Sequence, residues 1–163
     1  MTMDASISAH ILVVEDNRLY REAFCTLLDI CFPGVRITAV SDGTAALSLT
    51  RHTPFDLIVV DYNLKTLNGG DVVRHLRQRS RSTGILLPPI VMMSTQPDVA
   101  VFARTMGATD FLSKPVSEED IQAIIRPLLA DRNCCAEQSS ESPPSQTRER
   151  KPLKRLKPRL DHQ

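Results

Sequence analysis

Asp61 closes the run Leu57-Ile58-Val59-Val60, four apolar residues of which three are β-branched. A run of this kind reads as a short strand buried on both faces. The residues that follow, Tyr62 to Gly70, include Asn63, Asn68 and two glycines, which is loop chemistry. The acid therefore stands at the carboxyl end of a strand, where parallel α/β sheets bind their ligands. Other reactive types follow other apolar runs. Glu15 and Asp16 follow His10 to Val14, Ser94 follows Ile90 to Met93, and Lys114 follows Thr109 to Leu112. In one parallel sheet these ends share an edge, and residues distant in sequence converge. Three carboxylates within reach of each other repel and need a cation between them; an all-oxygen set suits Mg²⁺. A lysine and a hydroxyl beside such a carboxylate suit a phosphoryl group, whose charge is spread over three oxygens. The carboxylate itself can be the nucleophile and become an aspartyl phosphate.

The elements that must position these groups alternate along the chain. After the first strand, Tyr20, Phe24, Leu27, Leu28 and Cys31 recur at helical spacing until Pro33-Gly34. Arg36 to Val40 alternates as a strand, and Asp42 is placed to cap a helix carrying Ala45, Ala46 and Leu49. Pro54 ends that helix before the Asp61 strand. A third helix is expected over about Asp71 to Gln78, with Ser80 to Gly84 as a polar loop. Pro97 opens a helix with Val99, Ala103 and Met106 on one face, and Gly107 closes it. Ser117 to Asp120 forms a capping box before the stripe Ile121, Ile124, Ile125 and Leu128. Five β-α units predict an α/β fold: a doubly wound parallel sheet with helices on both faces and right-handed crossovers.

Length and composition set the bounds. The 163 residues, 42% hydrophobic and 24% charged, suffice for one domain with a core. A net charge of +1 marks neither a nucleic-acid protein nor an acidic one. Met1 to His10 lacks the basic and apolar regions of a signal peptide, and Ile85 to Met93 is too short to span a bilayer. The expectation is a cytoplasmic protein with no membrane partner. Cys25, Cys31, Cys134 and Cys135 show no CxxC spacing, and the four histidines are scattered. From about Asn133 the composition turns Ser/Pro/Glu-rich, and Arg148 to Arg159 holds seven Lys or Arg. Residues 9–130 are expected to form the domain and 131–163 a disordered tail, Ser/Pro-rich and then basic.

The motifs taken in order resemble a response-regulator receiver domain, similar to the chemotaxis-type single-domain regulators of two-component systems. They are Ile11-Leu12-Val13-Val14-Glu15-Asp16-Asn17, Asp56-Leu57-Ile58-Val59-Val60-Asp61, Val91-Met92-Met93-Ser94, and Gly107-Ala108-Thr109-Asp110-Phe111-Leu112-Ser113-Lys114-Pro115. The resemblance covers roughly Ala9 to Ala130 and implies a flavodoxin-like sheet of strand order 2-1-3-4-5. It implies that Asp61 accepts a phosphoryl group from a histidine kinase or histidine phosphotransferase. Asp16 would bind Mg²⁺ directly, Glu15 through water, and Asn63 through its backbone carbonyl, with Asp61 completing the set. Ser94 and Lys114 would contact phosphoryl oxygens, Ser94 and Phe111 would form the switch, and Lys114-Pro115 would be cis. An output protein would dock on the fourth helix, fifth strand and fifth helix. Asn63 and Gln96 occupy positions that in the family tune dephosphorylation.

The chain departs from the family pattern at two loop positions. Lys65 stands where proline is usual, adding a positive charge near the site, and Thr95 replaces a small alanine. Taken singly, each site residue has a plainer reading: a strand-end cap for Asp61, a helix-start pair for Glu15-Asp16, a core ring for Phe111. Their joint placement favours the phosphoacceptor. The expected protein is not an enzyme. An aspartate-nucleophile phosphatase would want a second acid two residues on, where Asn63 stands. A nucleotide binder would want a glycine- or hydroxyl-rich loop where Glu15-Asp16-Asn17 would repel phosphate. The alternative function is a receiver-like regulator acting through its basic tail on nucleic acid or protein, independently of phosphorylation. Nucleic acid is not the expected partner, and homodimerisation is left open.

Overall fold

The computed structural model describes residues 8–130. The expected disordered tail, with Cys134 and Cys135, lies outside the described residues. Five strands, β1 (His10–Val14), β2 (Arg36–Val40), β3 (Leu57–Asp61), β4 (Ile90–Ser94) and β5 (Asp110–Ser113), form one sheet in the order β2-β1-β3-β4-β5. All four pairings are parallel. The helices are α1 (Arg18–Cys31), α2 (Gly43–Leu49), α3 (Gly69–Thr83), α4 (Pro97–Met106) and α5, which opens at Glu118–Asp120. Among the described residues no helix is long and apolar enough to cross a membrane.

Alternation along the central strands splits the core in two. Ile11, Val13, Leu57, Val59, Val91 and Met93 face α1 and α5, where they meet Phe24, Leu28, Ile121, Ile125 and Leu129. Leu12, Val14, Ile58, Val60, Ile90 and Met92 face α2, α3 and α4, where they meet Ala46, Val72, Val73, Leu76, Val99 and Ala103. Strands β3 and β4 are buried along their whole length, as expected for a sheet covered on both sides.

The register places the strand ends in step. Val14 pairs with Val60, so Glu15 follows β1 level with Asp61. Asp61 pairs with Met93, one residue before Ser94, and Ser94 pairs with Ser113, one residue before Lys114. Neighbouring strands lie about 4.8 Å apart, so adjacent ends are within side-chain reach.

Caps match the residue types. Asn17 accepts from the Tyr20 amide at 3.1 Å, Asp42 from Thr44, and Asn68 from Gly70. Ser117 and Asp120 form the expected reciprocal box. Gly107 ends α4 with φ +105°, a conformation glycine adopts without strain.

Two helices differ from expectation. Helix α3 runs to Thr83, through the segment expected as a loop, and Gly84 caps it at φ +71°. Its apolar stripe ends at Leu76, and polar contacts carry it onward. Arg79 donates to the Leu47 and Thr50 carbonyls at 3.2 Å each, and Ser82 and Thr83 hydroxyls return to the Arg79 carbonyl at 2.9 Å. Helix α5 widens into a π-helical turn at Ile121–Ile125 before its last turn at 126–130, with Arg126 N–H bonded to the Ile121 carbonyl. An apolar stripe serves either hydrogen-bond spacing, so the pattern of isoleucines does not distinguish them.

Gly69 fixes the approach of α3 to β3. A Cβ at this position would lie 2.1 Å from the Asp61 carbonyl oxygen. Backbone on both sides leaves no flexible side chain to yield. Gly69→Ala is expected to cost about 2 kcal/mol or more through overpacking, measured as a lower urea midpoint at unchanged slope. An unchanged midpoint would show that α3 can shift freely.

Candidate functional site

The site lies at the carboxyl edge of β1, β3, β4 and β5. Glu15 and Asp61 are buried acids beside a sheet edge, which is costly without compensation. Lys114 supplies it. Its Nζ lies 2.5 Å from Glu15 Oε2 and 2.7 Å from Asp61 Oδ1, with only a tenth of its side chain exposed. The contact with Glu15 has hydrogen-bond geometry. The contact with Asp61 is an ion pair without that alignment, so Asp61 Oδ1 is buried with no hydrogen-bond donor.

Asp16 brings the third carboxylate. One oxygen each of Glu15, Asp16 and Asp61 lies within 4.8 Å of the others. Three hard oxygen donors this close, two of them on buried carboxylates that share one ammonium, fit Mg²⁺. Lys65 Nζ stands 3.6 Å from Asp16 Oδ2, on the solvent side of the cluster.

The strand-end loops hold these groups in place. The Asn17 amide donates to Glu15 Oε1 at 3.0 Å, and Arg21 donates to the Glu15 carbonyl at 2.6 Å. Tyr20 of α1 lies under the Lys114 ammonium, 4.3 Å from ring centroid to Nζ, a cation–π contact. Its hydroxyl accepts from the Val116 amide at 3.4 Å. The Lys114-Pro115 peptide between them is cis, as the resemblance implied. Ser94 is fully buried at the end of β4. Its oxygen accepts from the Gln96 amide at 3.1 Å and from the Asn63 side-chain amide at 3.5 Å.

Electrostatics follow from burial. Desolvation pushes the Glu15 pKa up; the Lys114 hydrogen bond opposes this and the Asp61 charge adds to it. For Lys114, burial disfavours the ammonium, but Asp61 and Glu15 outweigh it and hold the pKa above the usual lysine value.

Glu15, Asp16, Asp61 and Lys114 thus meet directly, and Ser94 stands at the neighbouring strand end in contact with Asn63. Phe111 stands apart: it is half-buried in the apolar layer that β4, α3 and α4 share. Thr95 lines a shallow opening with Glu15, Asn17, Tyr20, Lys114 and Pro115, at the entrance to the acids. Two supporting residues carried no local signal of their role. Tyr20 reads in sequence only as a core position of α1, and Arg21 only as an exposed helical charge.

Comparison with known proteins agrees with this geometry. The family model of the response regulator receiver domain matches residues 11–126. The response regulator MprA of a Mycobacterium strain is 35% identical over 135 residues, covering 82% of this chain and 55% of that protein. The glycerol metabolism activator of Pseudomonas putida is 31% identical over 122 residues, 73% of this chain and 53% of that protein. The chain spans about half the length of these curated relatives. Among solved structures, the chemotaxis protein CheY4 of Vibrio cholerae matches with TM-score 0.63 and 26% identity over 74% of this chain and 98% of that one. The receiver domain of a sensor histidine kinase from Pseudomonas aeruginosa, with magnesium coordinated in its active-site cleft, matches with TM-score 0.64. It is 25% identical over 76% of this chain and 98% of that one.

Lys114→Met would leave Glu15 and Asp61 buried together with no ammonium between them. A loss of about 3 kcal/mol in unfolding free energy is expected near neutral pH. The Glu15 carboxyl, already raised by burial, would lose the lysine hydrogen bond that opposes the rise. Stability held at low pH is lost as pH rises through the raised folded pKa, so the deficit should shrink on acidification from neutral towards the ordinary carboxyl range. Urea titrations at both ends of that range check it, and a deficit that grows on acidification would contradict the pairing.

Proposed function

The chain belongs to the response regulator receiver family, and from that premise we propose that Asp61 accepts a phosphoryl group from a histidine kinase or histidine phosphotransferase in the cytoplasm. The observation that carries the reading is the burial of Asp61 at the end of β3, ion-paired to Lys114 and clustered with two further acids. An Asp61 oxygen attacks the phosphorus of a phosphoimidazole. The new O–P bond forms as the P–N bond breaks, and the electron pair stays with the imidazole nitrogen. The Lys114 ammonium, already against Asp61, turns to a phosphoryl oxygen as charge moves there. Ser94 accepts from Gln96 through its oxygen, which leaves its own proton to donate to a second phosphoryl oxygen. Asp16, Asp61 and the Asn63 carbonyl, with Glu15 through water, would hold Mg²⁺, whose charge stabilises the transferred group. The protein in this reading is modified rather than turning over a substrate, and hydrolysis of the aspartyl phosphate resets it.

Readout runs through Ser94 and Phe111. A phosphoryl group draws the Ser94 hydroxyl towards Asp61 and frees space beside β5, into which the Phe111 ring turns. The surface altered is α4, β5 and α5, where an output protein docks. Helix α4 already presents Val101 and Phe102 to solvent, apolar groups suited to a partner. Residues 9–130 form the acceptor unit in this proposal.

Incubation with a phosphorylated histidine kinase and Mg²⁺ is expected to label the protein with a hydroxylamine-sensitive phosphate. Asp61→Asn should remove the label, and deleting residues 131–163 should leave it. An acid-stable label surviving on Asp61→Asn would overturn the assignment.

Beryllofluoride, a phosphoryl mimic, is expected to move the NMR signals of Phe111 and α4 as well as those of the loops around Asp16 and Asp61. Shifts confined to the loops would exclude the Phe111 switch.

A further inference from the structure

The geometry points to Lys65 as a tethered competitor for the divalent cation: it neutralises Asp16 while the metal is away and weakens the metal's binding. The inference rests on the reading of Glu15, Asp16 and Asp61 as a metal site. Lys114 lies against Glu15 and Asp61, at 2.5 and 2.7 Å. Among the described residues the ion-pair partner of the Asp16 carboxylate is instead Lys65, at 3.6 Å.

Lys65 is held near the site by its neighbours in the loop. Leu64 is buried in the layer of α2, α3 and α4. The Thr66 hydroxyl donates to Asp42 Oδ1 at 2.5 Å, and the Gly69 amide donates to the Tyr62 carbonyl at 2.9 Å. The backbone on either side of Lys65 is thus fastened, while the side chain itself is 82% exposed. An exposed pair of this kind contributes little to folding and breaks easily. It does not bar a metal ion from entering.

Charge decides what it does instead. Among the side chains whose charged ends meet in the cluster, three carboxylates and the Lys114 ammonium leave a formal charge of −2, which a divalent ion neutralises; the Arg21 guanidinium instead faces the Glu15 and Asp16 backbone carbonyls. Lys65 brings the formal charge to −1. An entering ion must displace the ammonium from Asp16 or accept it as a close like charge. Either route raises the dissociation constant, roughly three- to tenfold for a solvent-side charge at this range. The ammonium needs no entry path and is tethered nearby, so it offsets the Asp16 charge at low metal concentration.

Calorimetric titration of MgCl₂ into the metal-free full chain tests this without reference to phosphorylation. Lys65→Met is expected to bind Mg²⁺ roughly three- to tenfold more tightly than the wild type. Lys65→Arg, which keeps the charge, should stay within about twofold of the wild type. Arg18→Met, which removes an exposed charge paired with Glu22, should do the same and shows that net charge alone is not the cause. The gap between wild type and Lys65→Met should narrow at about 1 M KCl, where the screening length falls to about 3 Å. Equal affinities for wild type and Lys65→Met, with measurable binding by both, overturn the role of Lys65 and leave the metal site standing. Absence of binding by both overturns the metal-site reading and this inference with it.

Discussion

Burying like charges together is the constraint on which this structure turns. Glu15 and Asp61 lie side by side in an environment that strips water from both, with Asp16 close by. An uncompensated pair there would protonate or disrupt the sheet edge. The Lys114 ammonium between them resolves the conflict, and much of the local architecture serves its position. Tyr20 supports it from α1, and the Val116 amide ties the following loop to the Tyr20 hydroxyl. In the proposed function, the same crowding that costs stability is what would prepare the edge for a divalent ion and for a phosphoryl group. The stability cost and the chemistry have one physical origin.

Convergence of residues nearly a hundred positions apart depends on the register of the parallel sheet. Glu15, Asp61, Ser94 and Lys114 each stand at or just past the last paired residue of a strand. A slip of one residue in any ladder would turn its side chain to the opposite face. The apolar layers forbid that slip, because each strand buries a different set of residues on each side. Precision at the edge is therefore a product of packing in the interior. Gly69 adds a second control by letting α3 close against the Asp61 backbone.

Much of this was legible in the residues. The Leu57–Val60 run, Pro97 and Gly107 around α4, and the Ser117–Asp120 box each carry a local signal strong enough to place an element. The five reactive groups, Glu15, Asp16, Asp61, Ser94 and Lys114, followed from strand ends, and the strand order followed from family resemblance. What escaped was tertiary. The last turn of α3 is held by Arg79 reaching α2, a contact that polar composition does not announce. Tyr20 looks like any apolar helix position until Lys114 is seen above it. Lys65 was visible as an unusual residue near the site, but its partner Asp16 lies in the loop after β1, far from it in sequence, and only the β1–β3 pairing brings the two loops together.

The sheet also acts as a partition. Its two faces carry separate apolar clusters, one with α1 and α5 and the other with α2, α3 and α4. Among the described residues the buried apolar side chains of the two sides belong to separate clusters, and effects of distant substitutions generally add. Sequence drift in one layer can therefore be absorbed within that layer, by compensating changes among its own members. The surface of α4 can diversify while α1 and α5 keep their packing, and the carboxyl edge, where loops from both layers meet, is where the two histories must agree.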